Sequence, residues 1–279
     1  MGNRYRDFPN IIWLIGGDVD SVAAGVAVKV REFIAGLREF DTIHPITAHT
    51  GPEQSALDVW PNEAWVDINN IYTYSEPYPM ALAEYNRSQF KPFFLIESAY
   101  ENEHGSTPAS LRRQAYSAVL SGATLGRVFG NCPIWSFGFP SNYCNISGWQ
   151  QQLDSSGSIA VGYIGRMFSS RAFHELVPDQ AHTVLTFGFQ SGSTYAAAAR
   201  TANGATVIAY LPTQRTVTID MAKVAGTMAR AWWFNPSTAA ATLIGDFPTT
   251  GSRSFTPATT GDWVLVLDDL ALGLPAPGS

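Results

Sequence analysis

The chain has 279 residues, of which 46% are hydrophobic and 14% charged, with a net charge of −6 and a pI near 5.3. So apolar and sparsely charged a composition supports a substantial core and excludes a disordered polyelectrolyte. The acidic balance excludes the basic face of a nucleic-acid binder, and no apolar run approaches the roughly 18 residues of a membrane-spanning helix.

Residues 10–18 (NIIWLIGGD) form an apolar run of strand length that stops on a carboxylate. With no polar alternation, it suits a strand buried on both faces in a helix-covered parallel sheet. Val22, Val26, Val30, Phe33, Ile34 and Leu37 recur at helical spacing and predict a helix over 21–40. Residues 42–48 predict a strand that exits near His49, residues 65–72 another, and residues 79–90 a helix. Residues 92–97 (PFFLIE) repeat the first theme, an apolar strand closed by Glu97. Thr107-Pro108 supplies an N-cap and a first-turn proline for a helix to about Gly122. A strand over 127–135 and a helix over 155–170 complete five strand-then-helix units.

From about Thr183 the texture changes to short alternating strands, such as ATVIAYL and DWVLVLD, separated by Gly, Pro, Asn and Asp turns. That pattern predicts an antiparallel β-sandwich. The expected fold class is therefore α/β: a partial (β/α) barrel over 1–178, a β-sandwich over 179–274 and a disordered tail over 275–279.

Acids at the C-terminal ends of parallel strands stand where such folds place their chemistry. Asp18 and Glu97 are thus a candidate pair for cleaving a glycosidic bond. Asp18 equally fits a helix N-cap or Asx turn after Gly16-Gly17, and Asp20 competes for its role but better suits capping the next helix. Glu101 reads either as a substrate-binding acid or as a solvated loop acid near Glu103. Tyr100 reads as a donor to Glu97 or to a sugar, or as packing. His49, Tyr72 and Tyr74 lie at strand exits where they can line a pocket, and Trp135, ending the last predicted strand, is a candidate sugar-stacking floor. Arg112 and Arg113, on a helix, read as structural ion-pair formers.

Motifs for serine esterases, zinc hydrolases and nucleotide binding (G-x-S-x-G, H-E-x-x-H, G-x-G-x-x-G) do not occur, so no cofactor or metal is expected. Cys132 and Cys144 are compatible with two thiols or with a disulfide. Asn145-Ile146-Ser147 matches a glycosylation sequon at the level of chance, and the residues MGNRYRD at the start lack the apolar core of a signal peptide.

The chain resembles the apiosidase-like glycoside hydrolases, a bacterial (β/α)8 family followed by a small β-sandwich. The residues that carry the likeness are the Asn10–Asp18 run, His49, Trp65-Val66-Asp67, the E-x-x-Y-E of Glu97, Tyr100 and Glu101, and Ala231 to Pro236 (AWWFNP). In that family GGD ends the fourth barrel strand and E-x-x-Y-E the seventh. The resemblance therefore implies Asp18 as acid/base, Glu97 as nucleophile, a retaining mechanism and plant or other cell-wall glycans as substrates. It also implies that strands one to three have no counterpart here, since ten residues precede the GGD strand and a full barrel takes about 250. The chain then reads as a truncated relative, as a fragment of a longer protein, or as half of a barrel whose two exposed edges call for a homo-oligomer or a partner chain. The alternative is a non-catalytic glycan-binding or assembly subunit. A secreted or periplasmic location is implied by the family and by the disulfide reading.

Overall fold

The structure is a computed structural model that describes residues 1–139 and 148–279; Cys144 and the Asn145 sequon lie outside the described residues. A one-turn helix α1 (Gly2–Tyr5) precedes β1 (Trp13–Val19), helix α2 (Ala24–Arg38) and β2 (Ile46–Thr50). β1 and β2 pair in parallel from Trp13 opposite Ile46 to Gly16 opposite His49, after which the register shifts. α2 buries Ala27, Ile34 and Leu37, one face of the predicted period. Its N-cap is Ala23, without a side-chain cap, so Asp20 does not take that role.

A second small sheet follows. β3 (Gln54–Ser55) runs into α3 (Ala56–Val59), where Ser55 and Asp58 exchange hydrogen bonds as a capping box. β4 (Asn69–Tyr72), α4 (Pro77–Tyr85) and β5 (Phe93–Glu97) come next, with β4 and β5 parallel and Tyr72 opposite Glu97. Side chains and single bonds, not a ladder, join β2 to β4. The Asn70 amide donates to the Ala48 carbonyl at 2.6 Å and to Thr47 at 2.8 Å, and the Asp67 N–H donates to the Ile46 carbonyl at 2.9 Å.

α5 (Pro108–Leu120) starts at a Thr107/Ser110 capping box with proline in its first turn. The strand expected over 127–135 does not form. Only two isolated parallel bridges occur there, Leu95 to Arg127 and Glu101 to Asn131, and Cys132–Trp135 turns into the short helix α6. Pro133 explains the difference, because it has no N–H for a ladder and its fixed φ suits a first helical turn. Cys132 is disulfide-bonded. α7 (Ser156–Ser169) then packs on α5.

The remaining strands are antiparallel: β6 (Leu176–Pro178), β7 (Leu185–Phe187), β8 (Ala197–Thr201), β9 (Thr206–Leu211), β10 (Val217–Asp220), β11 (Met228–Asn235), β12 (Ala240–Pro248), β13 (Ser252–Phe255) and β14 (Trp263–Asp269). They form a six-stranded sheet, β12-β11-β14-β9-β8-β6, and a three-stranded sheet, β13-β10-β7. Val207, Ala209, Leu211, Leu265 and Leu267 of the larger sheet share a core with Leu185, Val217, Ile219 and Phe255 of the smaller. Their neighbours Ile208, Tyr210, Val264 and Val266 face the other way, onto Tyr116, Val119, Ile164 and Phe168 of α5 and α7. The expected alternation of buried and solvated positions is thus absent from β9, buried at every residue, because helices cover its second face. The molecule is a mixed α/β fold.

Two buried ion pairs tie helices to this sheet region. Arg112 holds Asp262 through two bonds of 2.7 Å, and the Tyr210 hydroxyl donates to the same carboxylate at 3.0 Å. Arg171, just past α7, holds Asp268 at 2.8 and 2.7 Å. Near the C-terminus, Arg171 donates to the Pro275 carbonyl at 2.9 Å and the Gly278 N–H donates to the Ser170 hydroxyl at 3.0 Å. The structural-pair reading of Arg112 and Arg113 holds, with Arg113 3.0 Å from Glu76.

Candidate active site

Three strand ends converge. At the end of β1 the register shift coincides with Asp18 in the left-handed region, at φ 48°. Its N–H donates to His49 Nδ1 at 3.2 Å, and its carboxylate lies 3.5 Å from the same nitrogen. On the other side of the ring, His49 Nε2 stands 3.0 Å from Glu97 Oε2 at the end of β5. Asp18 is 68% exposed, whereas His49 and Glu97 are 14% and 13% exposed. One oxygen of Asp18, one nitrogen of His49 and one oxygen of Glu97 all lie within 4.8 Å of one another. The two carboxylates address opposite nitrogens of the imidazole, and a single cation takes only one of them. His49 thus stands between the two acids and links them through ion-pair contacts of 3.5 and 3.0 Å.

The surroundings tune these groups. The hydrogen bond to Glu97 raises the His49 pKa, burial opposes it, and the charges of Glu97 and Asp18 add to the rise. Burial, together with the nearby Glu97 anion, raises the pKa of both Tyr72 and Tyr100 and keeps both phenols protonated. The Tyr72 hydroxyl also meets that of Tyr74 at 2.7 Å. Gly130 sets the position of Tyr100: a Cβ there would fall 2.3 Å from the ring, so only glycine lets the ring lie against this backbone.

These groups line a cavity of about 580 Å³, within the range of small-ligand sites. Asp18, Tyr72, Glu97, Tyr100 and Trp135 are in its wall, joined by Pro52, Tyr74, Glu103 and His104. Trp135 is 49% exposed, and its indole N–H donates to Glu103 at 2.5 Å. It is seated on α6, not on a strand. His49 stands behind the wall, between the two acids.

Glu101 is the exception among the expected residues. Its buried carboxylate accepts from the Gly157 N–H at 2.8 Å, from Asn131 at 3.1 Å and from the Ser155 hydroxyl, at the N-terminus of α7. A Cβ on Gly157 would fall 2.6 Å from that carboxylate, so the helix start is shaped around it. Glu101 binds the fold and is not part of the cavity. Sequence reasoning gave no role to Glu103, which lines the cavity; its only visible sign was its position soon after the Glu97 strand end.

Comparison with known proteins fits this geometry. The family model "Apiosidase-like, catalytic domain" matches residues 1–175, and "Putative collagen-binding domain of a collagenase" matches residues 177–268. The chain belongs to the apiosidase-like family. Among solved structures, this apiosidase-like chain superposes on a protein described as a glycoside hydrolase with a TM-score of 0.87 and 24% identity, over 97% of this chain and 67% of that one. It superposes on a glycoside hydrolase family 5 protein from Bacteroides vulgatus ATCC 8482 with a TM-score of 0.85 and 24% identity, over 97% of this chain and 65% of that one. At that identity the likeness is one of fold, and the apiosidase-like chain spans about two thirds of each neighbour's length. No curated protein matches it.

Proposed function

We propose that this protein is a retaining glycoside hydrolase in which Glu97 is the nucleophile and Asp18 the general acid and base. The observation that carries the reading is the spacing of the two carboxylates, whose oxygens come within 4.8 Å. Retaining enzymes hold theirs about 5–5.5 Å apart, whereas inverting ones leave about 6.5–9.5 Å for a water. In the first step a Glu97 oxygen bonds to the anomeric carbon while Asp18 gives its proton to the departing glycosidic oxygen. In the second, Asp18 takes a proton from water, whose oxygen displaces Glu97. Glu97 attacks with the His49 ring 3.0 Å from it and the protonated phenols of Tyr72 and Tyr100 nearby. Asp18 is exposed in the free protein, where a departing glycosidic oxygen can reach it.

In this reading the parallel strands are the arc of an incomplete barrel, the two antiparallel sheets are a β-sandwich, and the substrates are plant or other cell-wall glycans, as the family resemblance implies. Asp18→Asn and Glu97→Gln are each expected to abolish hydrolysis with the melting temperature preserved. Proton NMR of the first-formed product is expected to show the substrate's anomeric configuration; inversion, or full turnover by both variants, defeats the proposal.

A second reading rests on the free side of β1, where Ile12, Leu14, Val26 and Phe33 are all about half exposed. Such an edge and face suit docking against a second copy or a partner chain, and with it a non-catalytic glycan-binding or assembly role. Glycan binding without turnover, together with light scattering above the monomer mass, favours it.

A further inference from the structure

The two-acid mechanism leaves one buried acid of the cavity without a task. Glu103 is 5% exposed, and a tight loop after β5 fixes it. Its N–H donates to the Tyr100 carbonyl at 3.2 Å, and its carbonyl accepts from Ser106 at 2.7 Å. Both its neighbours, Asn102 at φ 69° and His104 at φ 48°, occupy the left-handed region. Non-glycine residues adopt that region at a cost, and such strain gathers at functional positions. Here it turns the carboxyl inward, against the indole N–H of Trp135.

A carboxylate offers about four lone-pair sites and accepts only, and one of them is filled by Trp135. The half-exposed indole beside it offers a flat apolar face. A pyranose or furanose ring stacked on such a face directs hydroxyl donors from its rim, and bonds from them to an ionised oxygen are among the stronger hydrogen bonds. The charge around the cavity narrows the ligand further. Asp18, Glu97 and Glu103 line it beside His104, and among the described residues no lysine or arginine does.

We propose that Glu103 is a specificity-determining residue: it accepts hydroxyl hydrogen bonds from a neutral sugar ring seated on Trp135, and the same carboxyl cluster rejects a uronic acid at that position. The inference rests on the glycosidase reading and adds the substrate class to it. Like charges brought together in a poorly hydrated site supply the rejection, and the hydroxyl bonds supply the preference.

The test uses the full chain and 4-nitrophenyl glycosides of neutral pentoses and hexoses beside the glucuronide. Glu103→Gln, which keeps size and an acceptor for Trp135, is expected to raise KM for the neutral substrates about 10- to 100-fold, the worth of bonds to a charged acceptor. Its kcat is expected to stay within about threefold of the parent, and its discrimination against the glucuronide to shrink. Glu103→Asp, with the charge retained on a shorter arm, falls between the two. An unchanged KM, or a collapse of kcat at constant KM, overturns the proposal. If the parent hydrolyses none of these glycosides, the glycosidase reading fails separately, and binding then decides. Methyl glycosides of the same sugars are titrated while the Trp135 indole N–H resonance is followed. A neutral-sugar shift that weakens in Glu103→Gln sustains the inference; equal shifts in both proteins, or no shift with any sugar, overturn it.

Discussion

Two carboxylates address one imidazole at His49, and this makes the residue a pH sensor for its own strand end. Its folded pKa is raised, first by the bond to Glu97. A histidine so shifted stabilises the fold fully below its unfolded pKa of about 6.5 and loses that contribution as pH rises through the higher folded value. His49→Gln is therefore expected to cost most in melting temperature near pH 6, with the gap to the parent closing towards about pH 9. Parallel thermal melts across that range check it; a gap that widens with pH contradicts the pairing. The two candidate carboxylates, Asp18 and Glu97, were legible in sequence because apolar runs that stop on an acid mark strand ends. Glu101 and Glu103 were not separable, because the choice between them lies in the left-handed backbone at Asn102 and His104, which leaves no periodic trace.

At the scale of elements, Glu101 shows how the fold holds the loop that carries the site. One carboxylate serves the start of α7, Asn131 and, through the parallel bridge at Asn131, the segment that leads into α6 and Trp135. Glu101→Ala is expected to lower unfolding free energy by about 2–3 kcal/mol, the scale of hydrogen bonds to a buried charge. Urea denaturation measures the loss. Should the variant be as stable as the parent, the carboxylate is not the anchor described here. The helices at 24–38 and 108–120 and the strands at 13–19 and 93–97 followed from spacing and capping signals. The segment 127–135 did not, because its apolar content suits a strand while Pro133 forbids the ladder.

Across the whole molecule, the sheet buried on two faces governs how the parts hold together. Residues near 108–120 and 156–169 lean on it as they would on a core, and Arg112–Asp262 and Arg171–Asp268 pin the contact. Arg112→Met leaves Asp262 buried without its cation and is expected to cost about 3–5 kcal/mol, while Arg112→Met combined with Asp262→Leu is expected to recover much of that. A double-mutant cycle by chemical denaturation measures both. Alternation in the sequence could not show this burial, since it records which residues are apolar and not which neighbour covers them.

The sheet that packs on helices on one side and on a smaller sheet on the other has a bearing on modularity. A gene cut near residue 178 would shed no appendage. It would strip the wall from behind α5, whose first turn follows the Glu97–Glu103 loop, and leave Tyr116 and Ile164 facing water. The two regions that the family models delimit are thus bound to be inherited as one piece, and are expected to melt in a single calorimetric transition.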